Sequence, residues 1–137
     1  MNFDYDEKQT RNNAKDLLNN ARRMQAIVES QSYVRSSVMS HAPITHSNIN
    51  SEAVARMAVK SAEATEEWKA INEAINLMDE ELGLLIARKY LDKNKRPDTD
   101  IYLSMNISAS GFYTRIDKAL VEFAFCYRGG ELVAWTS

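Results

Sequence analysis

Apolar residues recur at intervals of three and four positions along most of the chain, a spacing that places side chains on one face of an α-helix. The first such run predicts one long helix over residues 5–38, because neither Gly nor Pro interrupts it. Its apolar face consists of Ala14, Leu17, Leu18, Ala21, Met24, Ile27 and Val28. Residues 39–50 contain Pro43 and several Ser and Asn residues without periodicity, so they are predicted to form a linker.

Two further helices are predicted after the linker. Residues 51–78 form the first, with Asn50 or Ser51 as its N-cap and Glu52 in its first turn. Its intermittent apolar stripe consists of Val54, Met57, Ala58, Trp68, Ile71, Ile75 and Met78. A shorter helix over residues 80–91 has acidic residues at its start and basic residues at its end, as the helix dipole favours. Its inward side chains are Leu82, Leu85, Ile86 and Tyr90.

The last third of the chain has the pattern of a helix–turn–helix. Asp98 or Thr99 is predicted to cap a short helix over residues 100–105, which presents Ile101, Leu103 and Met105 to its neighbours. Asn106 and Ile107 form the turn, since Asn tolerates the left-handed conformation that such turns often require. Ser108 then caps a longer helix over residues 109–127. The inward side chains of this helix are Ala109, Phe112, Ile116, Ala119, Leu120, Phe123 and Tyr127.

The remaining positions near the start of that last helix are mostly short or polar. They are Ser110, Gly111, Tyr113, Thr114, Arg115 and Lys118. Small polar side chains allow close approach to a DNA major groove, where a long basic side chain reaches a base edge and helix N-terminal amides meet phosphate. The same spacing also fits an ordinary helical hairpin with solubilising charges, so the pattern alone leaves both interpretations open.

Composition supports an all-α fold. Only four Gly and two Pro occur among 137 residues, too few for the many tight turns of a sandwich or a barrel. The length fits one small domain or a compact domain with an extended helical arm. We therefore expect residues 1–50 to contribute a helix and a linker, and residues 51–137 an acidic helix followed by the helix–turn–helix.

The overall charge of −2 hides a segregated distribution. Residues 51–81 carry three basic and eight acidic side chains, a net charge of −5, whereas residues 82–128 carry eight basic and five acidic side chains, a net charge of +3. Residues 1–50 have a net charge of +1, so the first helix is either a packing helix or a basic arm along a phosphate backbone. The overall charge therefore does not exclude DNA, but it predicts weak non-specific binding.

Several other classes of protein are not favoured. No apolar stretch approaches the length of a membrane span, and the N-terminus lacks a signal-peptide pattern. The single Cys126 lies between aromatic residues and is expected to be a buried, inert thiol, so we expect a cytoplasmic protein. His41 and His46 in the linker make a poor metal site. No phosphate-binding loop or catalytic motif is present, so neither an enzyme nor a cofactor is expected.

The segment Ala74–Trp135 resembles the C-terminal half of the ArpU family, phage- and prophage-encoded regulators of late genes for packaging, structure and lysis. The resemblance rests on AIN before the acidic helix start, on Tyr90-Leu91 with its following basic turn, and on the Ser-x-Ser-x-Phe-Tyr opening of the last helix. It is most specific toward the C-terminal end. The residues there are Ala119-Leu120, Phe123-Ala124, Tyr127, Gly129-Gly130-Glu131-Leu132 and Trp135. The last three helices also resemble region 4 of bacterial sigma factors at the level of fold.

The resemblance implies a sequence-specific activator of transcription that binds double-stranded DNA. Because the weak positive charge predicts weak binding by one subunit, we expect a dimer or a higher oligomer, with the helix over residues 5–38 or the acidic helix as its interface. Arg115 would then contact a base edge or phosphate, and Ser108, Ser110 and Tyr113 would set the register. Gly111 and Thr114 would belong to the same DNA-binding surface. The DNA backbone would be held by Lys93, Lys95, Arg96 and Lys118. Two alternatives remain open, namely a DNA-packaging protein like a small terminase subunit and a module that binds RNA polymerase without touching DNA.

Overall fold

The computed structural model describes the backbone of residues 1–40 and 51–136, and the side chains of residues 1–31 and 51–136. The described residues are predominantly helical and contain no strand, which confirms the all-α class. The helices are α1 (Glu7–Leu18), α2 (Ala21–Ser40), α3 (Ser51–Leu77), α4 (Glu80–Ile86), α5 (Asp98–Ser104) and α6 (Ala109–Cys126). A π-helical turn, Ala87–Leu91, extends α4, and a 3-10 turn, Tyr127–Gly129, follows α6. Most of the predicted linker, with both histidines, lies outside the described residues.

Two compact units share the chain. Met1–Arg22 and Ala70–Ser137 form the main unit, and Arg23–Lys69 form a second one, here called the inserted unit. This division differs from the one expected at residue 50, because α1 belongs with the C-terminal helices although most of the chain separates them. The boundary expected at residue 50 itself falls outside the described residues.

The prediction of a single helix over residues 5–38 is wrong, because α1 ends at Leu18 and α2 begins at Ala21. Two consecutive asparagines lie at the break. The amide of Asn20 donates to the Leu17 carbonyl in the tighter pattern of a helix end, and its side chain donates to the Asp16 carbonyl. Asn side chains compete for backbone hydrogen bonds in this way, and a second one next to it weakens the helix further.

The core of the main unit is built around α6, which packs against α1, α4 and α5. The inward face of α6 is buried as predicted at Phe112, Ile116, Ala119, Leu120, Phe123 and Tyr127. The predicted inward side chains of α4 and its π-helical turn are also buried, namely Leu82, Leu85, Ile86 and Tyr90. From α1 come Thr10, Ala14 and Leu18, all fully buried. The helices of the main unit therefore share one core.

The C-terminal tail pairs with the N-terminal segment. Tyr5 and Trp135 form an isolated antiparallel bridge, flanked by hydrogen bonds from the Asp6 amide to the Ala134 carbonyl (2.8 Å) and from the Thr136 amide to the Asp4 carbonyl (3.1 Å). The tail leaves α6 through Gly130, whose φ of 90° is a left-handed conformation that glycine adopts without strain. Val133 is buried, whereas Trp135 is 47% exposed.

Arg22 closes the C-terminal end of the α4 segment. Its guanidinium donates to the backbone carbonyls of Lys89 and Asp92, both at 2.8 Å. The last carbonyls of a helix have no partner inside the helix, so a basic side chain at that position satisfies them and also complements the helix dipole. These two hydrogen bonds tie the first turn of α2 to the segment that leads into α5.

The described side chains of the inserted unit form almost no core. This unit consists of α2 from Arg23 onward and α3 up to Lys69, and among its described side chains only Ala64 is buried. The Thr65 hydroxyl lies 3.2 Å from the Gln31 side-chain oxygen and links the two helices. Much of the predicted apolar stripe of α3 is exposed here, including Val54 and Met57.

Candidate nucleic-acid interface

The turn between α5 and α6 has the geometry that its sequence predicts. Asn106 has a φ of 57°, which places it in the left-handed region. The Ser108 hydroxyl accepts a hydrogen bond from the Gly111 amide at 3.0 Å and caps α6, as predicted. A Cβ atom on Gly111 would lie 3.1 Å from the Ser108 hydroxyl oxygen, so this glycine gives the cap its room. The cap and the turn together fix the direction in which α6 begins.

Three details of the predicted helix–turn–helix are wrong. Pro97, with no side-chain acceptor, is the N-cap of α5, and the helix begins at Asp98, where Asp98 or Thr99 was expected as the cap. Leu103 is 66% exposed and Ala109 is also exposed, although both were expected to face inward. Because α5 has only seven residues, one buried side chain, that of Ile101, anchors it on the core.

The outward face of α6 near its start is polar and accessible. Ser110, Tyr113, Thr114 and Lys118 are exposed, and the Thr114 hydroxyl donates to the Ser110 carbonyl at 2.9 Å. The Thr114 side chain therefore lies against its own helix and does not project far into solvent. The structure brings these residues together on one accessible surface, as the sequence predicts.

Asp98 links this surface to the rest of the fold. One carboxylate oxygen lies 2.7 Å from the Lys89 ammonium nitrogen, and the other accepts a hydrogen bond from the Tyr113 hydroxyl at 3.1 Å. This hydrogen bond to Asp98 raises the pKa of Tyr113 and keeps its hydroxyl protonated. The Tyr113 ring also contacts Phe112 of the core, and the Lys89 ammonium lies over the Tyr90 ring. Tyr113 is thus held in a defined position on the surface.

Arg115 is paired with an acidic side chain of α4. Its guanidinium lies 3.1 Å from the Glu81 carboxylate, and the two side chains are 43% and 60% exposed. Such a pair is weak because water screens it, but it sets the resting direction of Arg115. The sequence predicts Glu81 at the start of α4, but its spacing gives no indication of a contact with α6.

Lys118 lies in a different environment from Arg115. It lines a polar cleft of about 570 Å³ between α1 and α6, together with Tyr5, Glu7, Arg11, Asp117 and Glu122. Arg11 lies 2.9 Å from Glu7 and 4.0 Å from Asp117. The Glu122 carboxylate accepts a hydrogen bond from the Asp79 amide at 2.7 Å and so supports the start of α4. These acidic neighbours reduce the positive potential around Lys118.

The basic loop before α5 is accessible. Lys93, Lys95 and Arg96 are all exposed, and the Arg96 guanidinium lies 3.9 Å from the Asp92 carboxylate. The loop ends at Pro97, directly before Asp98, which contacts Tyr113 of α6. The hydrogen bond between Asp98 and Tyr113 therefore connects the basic loop, whose side chains were predicted to hold the DNA backbone, to the α6 surface. Sequence reasoning missed Asp98 and Lys89 in this role, because their pairing depends on the fold.

Other kinds of site have little support in the described part of the chain. No group of three or more His, Cys, Asp or Glu side chains there could hold a metal ion. None of the described helices combines the length and the apolar character needed to cross a membrane. Cys126, which was expected to be buried, is partly exposed. Its partial burial still raises the pKa of the thiol, which disfavours the reactive thiolate.

Comparison with known proteins adds no relative. No protein family, curated protein or solved structure matches the chain. The similarity to ArpU regulators and to sigma region 4 therefore stays a prediction from the sequence.

Proposed function

We propose that this protein is a sequence-specific regulator of transcription that binds double-stranded DNA through α6. The observation that carries the proposal is the junction of α5 and α6. A left-handed Asn106 joins the two helices, and the capped start of α6 exposes small polar side chains while its opposite face is core. A recognition helix needs one face packed on the fold and its N-terminal turns free to enter a major groove.

The proposed roles follow from position and chemistry. Arg115 reads a base edge, since its guanidinium can form two parallel hydrogen bonds to guanine. Lys93, Lys95 and Arg96 hold phosphates, and Tyr113, whose hydroxyl is positioned by Asp98, sets the register with Ser108 and Ser110. Following the resemblance to ArpU regulators, the target is DNA upstream of phage late genes, and the protein activates their transcription.

The experiment compares Arg115→Ala with Arg128→Ala. Both arginines pair with a glutamate within 4 Å and have similar exposure, but Arg128 follows the C-terminal end of α6, whereas the proposed interface is at its start. The probe is a DNA fragment that co-purifies with the chain, and binding is measured by fluorescence anisotropy. Loss of a bidentate guanine contact costs about 1–3 kcal/mol, so Arg115→Ala should bind about 5- to 150-fold more weakly. The Arg128 variant should bind like the wild type.

Unchanged affinity of the Arg115 variant would remove this residue from the interface. Binding of the wild-type chain should also weaken steeply between low and moderate salt, because phosphate contacts release counterions. Absence of salt-dependent DNA binding would instead favour the module that binds RNA polymerase.

A DNA-packaging protein is the second candidate, and the inserted unit is the observation that favours it. Its exposed apolar side chains, among them Val54 and Met57, suit an assembling surface. Small terminase subunits also combine a helix–turn–helix with an oligomerising helical region. Light scattering separates the two functions, because a ring of about eight or more subunits supports packaging and a dimer supports a regulator.

A further inference from the structure

An ion pair closes the base of the basic loop before α5. The Lys89 ammonium nitrogen lies 2.7 Å from one Asp98 carboxylate oxygen, and these side chains are only 21% and 28% exposed. Water screens a half-buried pair less than an exposed one, so this pair is stronger than that of Arg115 with Glu81. Residues 90–97, which include the three cations proposed to hold phosphates, therefore leave and re-enter the fold between two side chains in direct contact.

The start of this loop is fixed as well. Arg22 donates two hydrogen bonds of 2.8 Å to the carbonyls of Lys89 and Asp92. The Asp92 carboxylate in turn accepts a hydrogen bond from the Asn94 amide at 3.0 Å. The backbone of the loop is thus held at its start by Arg22 and at its end by Asp98.

The Asp98 carboxylate also reaches the helix that is proposed to read DNA. Its second oxygen accepts a hydrogen bond from the Tyr113 hydroxyl at 3.1 Å. Tyr113 lies in the second turn of α6, and its ring contacts that of Phe112 in the core, with centroids 5.2 Å apart. One side chain therefore joins the end of the α4 segment, the start of α5 and the exposed face of α6.

This junction matters because a protein that reads sequence must meet phosphates and base edges at the same time. Phosphate contacts fix the register of a protein on the duplex but carry no sequence information, which comes from contacts to base edges. If the loop and α6 shifted against each other, the loop cations would still find phosphates, but Arg115 would miss its base edge. The link through Asp98 removes that freedom.

The negative charge of Asp98 gives this role a measurable signature. A carboxylate beside the interface repels the phosphates of any sequence, so an amide in its place should slightly strengthen non-specific binding. The same replacement weakens the contacts to Lys89 and Tyr113, because a charged acceptor forms stronger hydrogen bonds than a neutral one. The base contacts of α6 then lose their fixed position. A side chain that contributed only charge, or only stability, would shift both affinities in the same direction.

We propose that Asp98 is a positioning residue that determines the sequence specificity of the DNA site, by holding the basic loop and α6 in one register. The inference rests on the proposed function and deepens it, because it names the residue that couples phosphate contacts to base reading. Asp98 acts through Tyr113 and through the end of the loop, without touching DNA itself.

The test compares Asp98→Asn with Asp100→Asn. Asp100 is a matched control, since it lies in the same first turn of α5, is exposed and has no ion pair in the described structure. Fluorescence anisotropy measures the affinity for two duplexes, namely the DNA fragment that co-purifies with the chain and a shuffled fragment of the same length and base composition. The specificity ratio is the affinity for the first fragment divided by the affinity for the second.

The two variants should differ in this ratio. Asp100→Asn should strengthen binding to both fragments equally and leave the ratio unchanged. Asp98→Asn should bind the shuffled fragment at least as tightly as the wild type and the co-purifying fragment more weakly. Its specificity ratio should fall about 5-fold or more, because one bidentate base contact is worth about 5- to 150-fold in discrimination.

Tyr113→Phe tests the same link without any change of charge. It removes the hydroxyl that Asp98 accepts, so the specificity ratio should again fall, while the salt dependence of binding stays that of the wild type. The double variant should lose little more than either single variant, because both remove one shared contact. If Asp98→Asn does not fold, Tyr113→Phe decides alone, since an exposed hydroxyl is removed there.

The outcomes separate this inference from the proposed function. A wild-type chain that prefers the co-purifying fragment, with an unchanged ratio in Asp98→Asn and Tyr113→Phe, would overturn the inference and leave DNA reading by α6 intact. Parallel weakening for both fragments, together with a lower melting temperature, would reduce Asp98 to a structural residue and also overturn it. A wild-type chain that binds both fragments equally would overturn the proposed function, and the role of Asp98 with it.

Discussion

At the scale of single residues, acidic neighbours hold the side chains that are proposed to contact DNA. The Glu81 carboxylate lies 3.1 Å from the Arg115 guanidinium, and the Asp98 carboxylate accepts a hydrogen bond from the Tyr113 hydroxyl. DNA must compete with Glu81 for the Arg115 guanidinium, whereas the hydrogen bond to Asp98 can stay in place while the Tyr113 ring sets the register. The two contacts therefore have opposite consequences, since one opposes binding and the other organises it.

Removal of the charge of Glu81 should strengthen DNA binding. Glu81→Gln leaves the side chain its size but frees Arg115 from an exposed ion pair, which is worth up to about 1 kcal/mol. We expect affinity for the DNA fragment to rise about 2- to 5-fold in fluorescence anisotropy.

Glu80→Gln controls for this prediction. It removes the same charge one residue away, at an exposed position with no ion pair to Arg115 in the described structure. An equal gain in both variants would assign the effect to general charge, and no gain in Glu81→Gln would show that the pair does not compete with DNA.

At the scale of elements, the contribution of one contact to the free energy of unfolding can be measured directly. This contact, here called the clamp, is the pair of hydrogen bonds from Arg22 of α2 to the end of the α4 segment. Arg22 donates two hydrogen bonds to carbonyls that have no partner within their own helix. Arg22→Leu keeps the apolar stem and removes both donors. Charge-assisted bonds are worth about 1.5–3 kcal/mol, so the free energy of unfolding should fall by roughly 2–3 kcal/mol.

Arg23→Leu is the matched variant for the clamp, because Arg23 is exposed and adjacent. Its stability in urea denaturation should stay within about 0.5 kcal/mol of the wild type. A similar loss in both variants would mean that the clamp is not what stabilises this junction.

The bounds of two long helices and the position of one turn can be predicted from the sequence. Periodic spacing predicts α3 to within one residue and α6 likewise, because each has a long, regular apolar face and α6 has a serine cap. The Asn106 turn is predicted because few other residues tolerate its conformation.

The errors concern features that depend on competition or on distant partners. The break between α1 and α2 depends on two asparagines that compete with the helix for backbone hydrogen bonds, while the apolar spacing runs on without interruption. The pairing of Arg115 with Glu81, and of Tyr113 with Asp98, depends on how α4 and α5 lie against α6. No local pattern encodes such pairs, so the composition of the site is predictable and its internal contacts are not.

At the scale of the whole molecule, the main unit is built from both ends of the chain and is interrupted by the inserted unit. The core side chains of the main unit come from its own two segments. All of the residues proposed to contact DNA belong to the main unit.

Replacement of residues 23–69 by a Gly/Ser linker should leave the main unit folded. About 20 linker residues span an average of about 25 Å, and closing a shorter loop costs less entropy than closing the natural one. The variant should unfold cooperatively in thermal denaturation and retain salt-dependent DNA binding. Loss of cooperative unfolding would show that the main unit depends on the inserted one.

Contacts between the N-terminal segment and the C-terminal tail can form only after most of the chain has been synthesised. The Thr10 hydroxyl accepts a hydrogen bond from the Ala134 amide, and the two residues are 124 positions apart in the sequence. A ribosome adds about 5–20 residues per second, so it adds Ala134 about 6–25 s after Thr10. During that interval α1, a twelve-residue helix that is marginal alone, leaves the ribosome with Ala14 and Leu18 uncovered. The nascent N-terminus is then exposed to chaperones and proteases until its last partner has been translated.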